Sequence, residues 1–350
     1  METQKEAMEI LGMTLCPAFS VKDNLITAVN PAAQGLLLQP GADIRQLLRT
    51  GKEEYAAFRE GCLYLTLNIT ANGLGATVVR RDDADYFLLE PETEDSVLRA
   101  LSLAATQLRS PLADAMADMN LLPEPEDPAS QARLARLNRA LYRMQRILCN
   151  MSDSDTWPNQ DHQQIRNIQS VCAGIFEKAQ ALLAQNGCSL TYEGLASPVY
   201  TLLDEVQLER AVLNMLSNAL KFRREHSALH AKLSLRGRML VLSLQDNGSG
   251  IAEQLRSTVF SRYLRQPGHE DSRFGLGLGM VLIRSAAAAH GGTVLIDQPE
   301  GIGTRITMTL AIRQGEAQLR SPFLRADYGG ERDHCLLELA EFLPAELYQK

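Results

Sequence analysis

The most constraining feature of this sequence is a series of three glycine clusters in its C-terminal half. The first, Asp246 to Ile251, follows a β-rich run; the second, Gly275 to Met280, opens a helical run; the third is Gly301 to Thr304. Because glycine lacks a Cβ atom, such clusters let the backbone approach a flat or charged ligand closely. A glycine loop that leads into a helix also directs free N–H groups and the positive end of the helix dipole at an anion. The series therefore predicts a site for a phosphate-bearing ligand.

A predicted helix upstream of these clusters, Glu205 to Phe222, carries polar groups that suit the same kind of ligand. Asn214 and Asn218 share one face of this helix, and Lys221 lies one position round from it. Amide oxygens are hard ligands that suit Mg²⁺, and a lysine suits a phosphate. The alternative is a solvated helix face, but asparagines within an apolar helix are costly to bury without partners.

Composition narrows the class of protein. The net charge of −7 over 350 residues argues against nucleic acid as the main partner, since a phosphate backbone selects basic surfaces. The hydrophobic content of 45% is enough for two or three packed domains. The six cysteines form no CxxC pair, which predicts reduced thiols rather than disulfides or zinc ligands. Since no apolar run approaches the ~18 residues that span a bilayer and no leader precedes the chain, we expect a cytoplasmic protein without a membrane span.

Residues 1–91 predict a small α+β domain. The order of hairpin, helices and antiparallel strands resembles a small PAS sensory domain, most closely from Leu25 to Leu36. The alternative is an unspecified α+β dimerisation domain. The predicted elements are an amphipathic start at Met1–Met13, strands at Pro17–Val21, Leu25–Val29, Leu63–Leu67, Ala76–Arg80 and Tyr86–Leu89, a helix start capped by Asn30 at Pro31, and a helix from Asp43 to Phe58.

Residues 92–154 predict a helical hairpin with an apolar seam on each helix. Apolar residues recur every three or four positions on both sides of a proline-rich turn at 123–128. Because a single hairpin cannot bury both seams, two copies packed as a four-helix bundle are expected, which predicts a homodimer. The alternative is a hairpin packed on its own globular domain. The seam residues are Leu98, Leu101, Ala105, Leu108, Leu112, Met116 and Met119 on the first helix and Leu134, Leu137, Leu141, Met144, Leu148 and Met151 on the second.

A polar linker at 153–159 leads into the segment that carries the glycine clusters. Within this segment the sequence predicts a helix at Ile168–Gln185 and a β-hairpin at Leu233–Leu244. Residues 313–350 form a C-terminal extension with a predicted helix at Cys335–Leu343. The sequence assigns this extension no role.

Five motifs occur in a fixed order along the chain. They are Asn214 with Asn218, Asp246–Gly250, Phe260 with Tyr263-Leu264-Arg265, Gly275–Gly279, and Gly301–Thr304. This order resembles the N, G1, F, G2 and G3 boxes of sensor histidine kinases, which belong to the wider GHKL ATPase superfamily. The resemblance implies a multidomain α+β protein with a PAS-like domain at 1–91, a dimerisation hairpin at 92–154, an α/β-sandwich ATP-binding domain of the Bergerat (GHKL) type at 155–312, and the extension at 313–350.

The resemblance also implies ATP and Mg²⁺ as ligands and gives individual residues their roles. Asn218 with Asn214 would hold Mg²⁺, Lys221 would face the phosphates, and Asp246 would hydrogen-bond the adenine amino group with help from Thr304. Residues 260–274 would form a mobile lid. The ATP-binding residues implied are Asn214, Asn218, Lys221, Asp246, Gly248, Gly250, Ile251, Tyr263, Arg265, Gly275, Leu276, Gly277, Leu278, Gly279 and Thr304.

The hairpin departs from the family at the phospho-acceptor. The family phrase His-Glu-Leu-Arg-Thr-Pro-Leu is matched by residues 106–112, so that Thr106 stands at the histidine position and Gln107 at the acidic position. An imidazole is a nucleophile near neutral pH, whereas a threonine hydroxyl needs a base and a glutamine amide cannot be that base. No histidine precedes His162, so the hairpin contains no shifted acceptor.

Three functions remain open at this stage. The first is a histidine-kinase-like signalling protein that binds Mg-ATP and is degenerate in autophosphorylation. The second is an active protein kinase that phosphorylates Thr106, Ser110 or a partner protein, and the third is a scaffold that no longer holds nucleotide. Asn214 stands where other GHKL branches carry a water-activating glutamate, which argues against hydrolysis. The expected partners are a second copy and the receiver domain of a response regulator.

Overall fold

The computed structural model describes residues 11, 14, 16–36, 38–70, 73–81, 83–90, 95–153, 162–224, 227–251, 259–260, 278–299, 303–314, 328–330 and 332–349. The predicted amphipathic start at 1–13 lies outside these residues except for Leu11. The predicted linker at 153–159 lies outside them except for Asp153.

The described strands form one large sheet and one small one. The strands are β1 (Ala18–Lys22), β2 (Leu25–Val29), β3 (Cys62–Leu67), β4 (Leu74–Arg81), β5 (Ala84–Leu89), β6 (Gln164–Asn167), β7 (Ser189–Glu193), β8 (Tyr200–Leu203), β9 (Ala228–Arg236), β10 (Met239–Asp246), β11 (Val294–Asp297) and β12 (Arg305–Ala311). The large sheet has ten strands in the order β2-β1-β5-β4-β3-β11-β12-β10-β9-β7, whereas β6 and β8 pair separately. Neighbours in the large sheet are antiparallel except β7 and β9, which are parallel, so the sheet is mixed.

The N-terminal strands β1–β5 enclose a core of their own with two short helices, α1 (Ile44–Leu47) and α2 (Lys52–Ala57). The prediction of one continuous helix from Asp43 to Phe58 is wrong. Gly51 separates α1 from α2 with a φ of 76°, a left-handed conformation that a continuing helix does not allow. A Cβ atom on Gly51 would lie 2.6 Å from Thr293 Cγ2, so this turn is also packed against the C-terminal half of the chain.

The helical hairpin consists of α3 (Asp95–Leu121) and α4 (Pro128–Asp153). The two helices pack through buried Met116, Met119 and Leu141. Among the described residues, no helix is both long enough and apolar enough to cross a membrane. Several apolar side chains of the hairpin remain exposed, namely Leu103, Leu108, Leu137, Met144 and Ile147.

Three helices, α5 (Ile168–Ala184), α6 (Glu205–Lys221) and α7 (Gly279–Ala289), cover one face of the C-terminal half of the large sheet. Burial along β10 alternates, with Leu240, Leu242 and Leu244 buried against the helices. This period of two is expected for a strand with one face in the core. The helices and the mixed sheet together form a layered α/β arrangement.

A buried histidine fixes the start of α6. Asp204 caps this helix, because its Oδ1 accepts a hydrogen bond from Gln207 N at 3.0 Å. His290 Nε2 accepts a hydrogen bond from Asp204 N at 3.0 Å, and its Nδ1 contacts the Ala286 carbonyl at 2.7 Å. The imidazole is therefore in the neutral form with the proton on Nδ1, and burial lowers the pKa of His290.

The N-terminal and C-terminal halves of the large sheet meet at β3 and β11. These strands pair antiparallel, with Leu63 opposite Leu295. Next to the junction, Glu90 at the end of β5 forms an ion pair with Arg284 of α7, whose side chain is only 4% exposed. Tyr64 contacts both residues, since Arg284 stacks over its ring at 4.8 Å and the Tyr64 hydroxyl donates to Glu90 at 3.2 Å. The sheet thus crosses the predicted boundary between the first and third segments of the chain.

The C-terminal extension packs into the main core. It contains helix α8 (His334–Glu338) and a short 3₁₀ helix at Ala345–Tyr348. The predicted helix at 335–343 is therefore too long, since turns replace it after Glu338. Cys335, Leu339 and Leu343 are buried in the same core as α5 and α6.

Candidate functional site

The two predicted magnesium ligands lie on the face of α6 that is turned towards α7. Asn214 is buried, and its Nδ2 donates to the Arg210 carbonyl at 2.8 Å. Its Oδ1 is buried and has no hydrogen-bond partner within the described part of the chain. An unsatisfied buried acceptor costs about 1–3 kcal/mol, so an oxygen left in this state is a candidate ligand for a cation. Asn218 lies one turn later and contacts Met280 Sδ through Nδ2 at 3.2 Å.

The first turn of α7 faces these asparagines. A Cβ atom on Gly279 would lie 3.1 Å from Asn214 Oδ1 and 3.6 Å from Asn218 Oδ1. Leu278 precedes the helix, and within the described part of the chain no side chain caps its first N–H groups. An uncapped helix start favours an anion. The arrangement therefore places two amide oxygens and a set of free backbone donors around one point.

Asp246, at the end of β10, is the buried acidic group of the site. Its Oδ1 accepts hydrogen bonds from Gly248 N at 2.7 Å and Thr304 N at 3.1 Å. Burial raises the pKa of Asp246, while these two hydrogen bonds act in the opposite direction. The hydrogen bonds fix the orientation of a carboxylate that is only 8% exposed. Such a group can accept a hydrogen bond from a ligand with high directional preference.

The first and third glycine clusters are held against each other around Asp246. Gly303 has a φ of 69°, and a Cβ atom on it would lie 1.9 Å from the Asp246 carbonyl oxygen, so only glycine fits. Gly248 lies beside the Phe222 carbonyl at the end of α6, and the next residue, Ser249, donates to that carbonyl at 3.2 Å. These glycines therefore have an internal packing role in addition to any contact with a ligand.

Lys221 lies in the last turn of α6. Its Nζ lies 5.2 Å from the centre of the Phe222 ring. The Phe222 side chain is 44% exposed although it is large and apolar. The end of α6 thus presents a cation and an aromatic ring next to the Gly248 turn.

Thr106 and Gln107 lie on an exposed surface of α3. The Thr106 hydroxyl donates to the Ser102 carbonyl of the preceding turn at 2.9 Å. This bond satisfies the hydroxyl within its own helix. The structure records no acidic side chain bonded to Thr106 among the described residues.

Some of the predicted site residues lie together in the structure, whereas others are outside the described residues. Ile251 is partly buried against the main core, Gly250 lies beside Gln298, and Leu278 is buried ahead of α7. Phe260, predicted as the first residue of a mobile lid, is instead fully buried, with its ring 5.5 Å from that of Tyr64. Tyr263, Arg265, Gly275, Leu276 and Gly277 lie outside the described residues.

Two residues near the asparagines were not predicted from the sequence. Met280 contacts Asn218, and the Arg210 carbonyl holds Asn214. The position of Met280 directly after Gly279 is a sequence signal that could have indicated its place. Arg210 carries no such signal, because an arginine one turn before an asparagine is an ordinary helix residue.

Comparison with known proteins identifies the segment that contains this site. Residues 203–314 match the family described as histidine kinase-, DNA gyrase B-, and HSP90-like ATPase. The adaptive-response sensory kinase SasA of Synechocystis sp. is 25% identical over 262 residues, which are 70% of this chain and 68% of that protein. Sensor protein RstB of Escherichia coli is 37% identical over 111 residues, 31% of this chain and 25% of RstB. The alginate biosynthesis sensor protein KinB of Pseudomonas aeruginosa is 26% identical over 258 residues, 71% of this chain and 42% of KinB. The chain therefore spans less than half of RstB and of KinB.

A solved structure shares the fold. Full-length ShkA, crystallised in complex with AMPPNP, superposes with a TM-score of 0.51 at 19% sequence identity. The superposition covers 63% of this chain and 47% of ShkA.

Proposed function

We propose that this chain is a signalling protein that binds Mg-ATP without phosphorylating a histidine of its own hairpin. The proposal starts from its relation to the sensor histidine kinases and from its ATPase domain of the histidine kinase-, DNA gyrase B- and HSP90-like family at residues 203–314. Nucleotide binding serves as a conformational signal in this proposal. SasA, RstB and KinB are each named as a sensory kinase or sensor protein, which supports the signalling part.

The observation that carries the nucleotide part of the proposal is the buried Oδ1 of Asn214, which has no hydrogen-bond partner among the residues that the structure describes. It faces Gly279 at the start of α7, where no described side chain caps the helix and the N–H groups favour a phosphate. Asp246 supplies a carboxylate that two backbone hydrogen bonds hold in place, suited to the amino group of adenine. The three elements together match the phosphate, cation and base of a nucleotide. The remaining ATP-binding residues predicted from the sequence are part of this proposal.

The residues present fit a magnesium ion. Asn214 and Asn218 would hold it through their amide oxygens, which are the hard ligands that Mg²⁺ accepts. When bound, the ion would supply charge neutralisation for the phosphates. Asn214 contributes a neutral amide where hydrolytic relatives carry a carboxylate, so the chain itself offers no water-activating base at this position.

The hairpin gives no support to autophosphorylation on histidine. No histidine occurs before His162, and the acceptor position holds Thr106, whose hydroxyl is bonded to the Ser102 carbonyl. Gln107 cannot take the proton that a threonine must lose to attack a phosphorus atom. The second candidate function, a kinase acting on Thr106, Ser110 or a partner protein, is favoured by the exposure of Thr106 on α3.

We further propose a homodimer through the hairpin. The apolar side chains that α3 and α4 leave exposed include Leu108, Leu137 and Met144, at 53%, 51% and 46% exposure. A second hairpin would cover such a seam in a four-helix bundle. A response-regulator receiver domain is the partner expected for a relative of these kinases.

The N-terminal segment 1–91 is proposed to be a PAS-like sensory domain. Its five antiparallel strands, its two short helices and its separate core support this assignment. The division into 92–154 for the hairpin, 155–312 for the ATP-binding domain and 313–350 for the extension remains part of the proposal, and so does a cytoplasmic location.

Calorimetric titration of the full chain with ATP and Mg²⁺ tests the proposal. We expect saturable binding that Asn214→Ala or Asn218→Ala weakens at least tenfold, with Asn120→Ala, at an exposed position of α3, as a matched control that leaves it unchanged. Absence of binding would favour the scaffold instead. Incubation with labelled ATP then separates the other two functions, because label that survives acid treatment indicates phosphothreonine or phosphoserine.

A further inference from the structure

The C-terminal segment 334–349 lies between the hairpin and the ATPase domain and contacts both. On the hairpin side, Arg139 of α4 donates to the Ala340 carbonyl at 2.9 Å and to the Glu341 carbonyl at 2.8 Å. Arg143, one turn later, forms two hydrogen bonds with the Glu341 carboxylate at 2.6 and 2.7 Å. Paired arginine–carboxylate bonds of this kind fix orientation as well as distance.

On the ATPase side, the same segment is held by helices α5 and α6. His334 Nδ1 lies 2.6 Å from Glu209 Oε2 of α6. Asn186, just after α5, donates to the Phe342 carbonyl at 2.9 Å. Apolar side chains of the segment are buried in the core that α5 and α6 share. The segment is therefore anchored in the ATPase domain and reaches out to α4.

Glu338 joins the two sides through one buried carboxylate. Its side chain is 0% exposed; Oε2 lies 3.0 Å from Arg146 of α4, and Oε1 lies 3.4 Å from Arg210 of α6. The Arg210 side chain is 1% exposed and also donates to Asn150 of α4 at 2.7 Å. A carboxylate is rarely buried completely unless it is paired, and removing one member of a buried pair leaves an uncompensated charge.

This charge cluster is bonded to the helix that carries the nucleotide-site asparagines. The Arg210 carbonyl accepts the hydrogen bond of Asn214 Nδ2 at 2.8 Å. Arg146 also donates to Ser217, the residue before Asn218, at 2.8 Å. A displacement of α4 relative to α6 would therefore disturb the surroundings of both asparagines.

We propose that residues 334–349 form an intramolecular latch that holds α4 of the hairpin against α6 of the ATPase domain in a single orientation. Movement of the ATPase domain relative to the hairpin requires the latch to open. Ligand binding at Asn214 and Asn218 stabilises the latched state through Arg210 and Arg146; this second statement rests on the proposed function.

Hydrogen–deuterium exchange on the full chain without nucleotide tests the latch. Arg143→Glu and Glu341→Arg each break the outer ion pair, and we expect each to speed exchange of the α4 amides at 138–150 by about fivefold or more. The double variant re-forms the pair in the opposite sense and should restore slow exchange. Glu346→Gln changes an exposed carboxylate of the same segment and serves as the matched control with no expected effect.

Glu338→Gln removes the charge of the buried carboxylate, and an increase of about a hundredfold in α4 exchange is expected. If Glu338→Gln does not fold, the variants of the outer ion pair between Arg143 and Glu341 still test the latch. Equal α4 exchange in wild type and both single variants, or no recovery in the double variant, would overturn the latch.

A second measurement adds Mg-ATP to the wild-type protein. We expect slower exchange in the latch amides by about fivefold or more, the range of an ordinary coupling between sites. Unchanged exchange at saturating nucleotide would overturn the coupling. Calorimetry reports separately on binding, so a protein that does not bind ATP refutes the proposed function while the nucleotide-free exchange experiment still judges the latch.

Discussion

Replacing Asp246 by asparagine separates the ligand-binding role of this side chain from its effect on stability. Oδ1 of the wild-type residue accepts hydrogen bonds from Gly248 N and Thr304 N, and an asparagine Oδ1 can accept both. Burial raises the pKa of Asp246, which means that the ionised carboxylate is less stable in the folded than in the unfolded protein, by about 1.4 kcal/mol for each pKa unit. We expect Asp246→Asn to increase the free energy of unfolding at pH 7 by on the order of 1 kcal/mol.

The pH dependence has a defined sign. Because the pKa of Asp246 is higher in the folded than in the unfolded protein, its stabilising contribution is fully present below the unfolded value of about 3.9. That contribution is lost as the pH rises through the folded value. The stability advantage of Asp246→Asn should therefore be present at pH 7 and fade towards acidic pH.

Nucleotide affinity should change in the opposite direction. The substitution removes the charged acceptor proposed for the adenine amino group, and a hydrogen bond to a charged group contributes about 1.5–3 kcal/mol. The dissociation constant for Mg-ATP should rise about 10- to 150-fold. Urea unfolding at pH 7 and pH 4.5 and calorimetry on the full chain measure the two effects. Asp83→Asn, at a carboxylate that is 88% exposed, is the control without either effect. Unchanged affinity, or a loss of stability at pH 7, would refute the reasoning.

Four further predictions follow from individual contacts. Asn214→Ala removes the buried unpartnered oxygen and should abolish the Mg²⁺ dependence of nucleotide affinity; calorimetry with and without Mg²⁺ measures this, and an unaltered dependence would contradict it. Glu90→Gln leaves the buried guanidinium of Arg284 without its counter-charge and should lower the free energy of unfolding by about 3 kcal/mol. Urea unfolding measures this, and a change under about 0.5 kcal/mol would count against the ion pair. Burial lowers the pKa of His290, so its stabilising contribution is full above the unfolded pKa of about 6.5 and is lost as the pH falls through the folded value. The free energy of unfolding should therefore fall more in the wild type than in His290→Gln between pH 7.5 and 5.5. Labelled ATP should leave no acid-stable label on the hairpin, and a label that Thr106→Val removes would favour the kinase alternative.

Elements with strong local signals could be predicted closely from the sequence. The helix predicted at Glu205–Phe222 is found at Glu205–Lys221, because its apolar face is continuous and Asp204 caps its start. The β-hairpin predicted at 233–244 is found at 228–246 and turns at Gly237. Asn214 and Asn218 are both on the face of α6 that meets α7, since a spacing of four residues places two side chains on one side of a helix.

Features that depend on distant parts of the chain could not be predicted. The pairing of β3 with β11 joins residues more than 200 positions apart, and the edge of a strand carries no local signal for its partner. The sequence alone indicates a solvated surface charge at Glu338, and only the tertiary structure places two arginines beside it. The break at Gly51 was missed because a single glycine is tolerated within many helical patterns, and its packing against Thr293 is visible only in three dimensions.

The junction between β3 and β11 bears on how the ATPase domain can be isolated. A fragment that starts near residue 155 would leave the backbone amides and carbonyls of β11 bare along one side, with Leu295 deprived of the N-terminal core that it now packs against. An unpaired strand edge of this kind can pair with a second copy of the fragment, so such fragments tend to aggregate. The shortest well-behaved preparation for studying nucleotide binding should therefore retain β3 and the strands that support it.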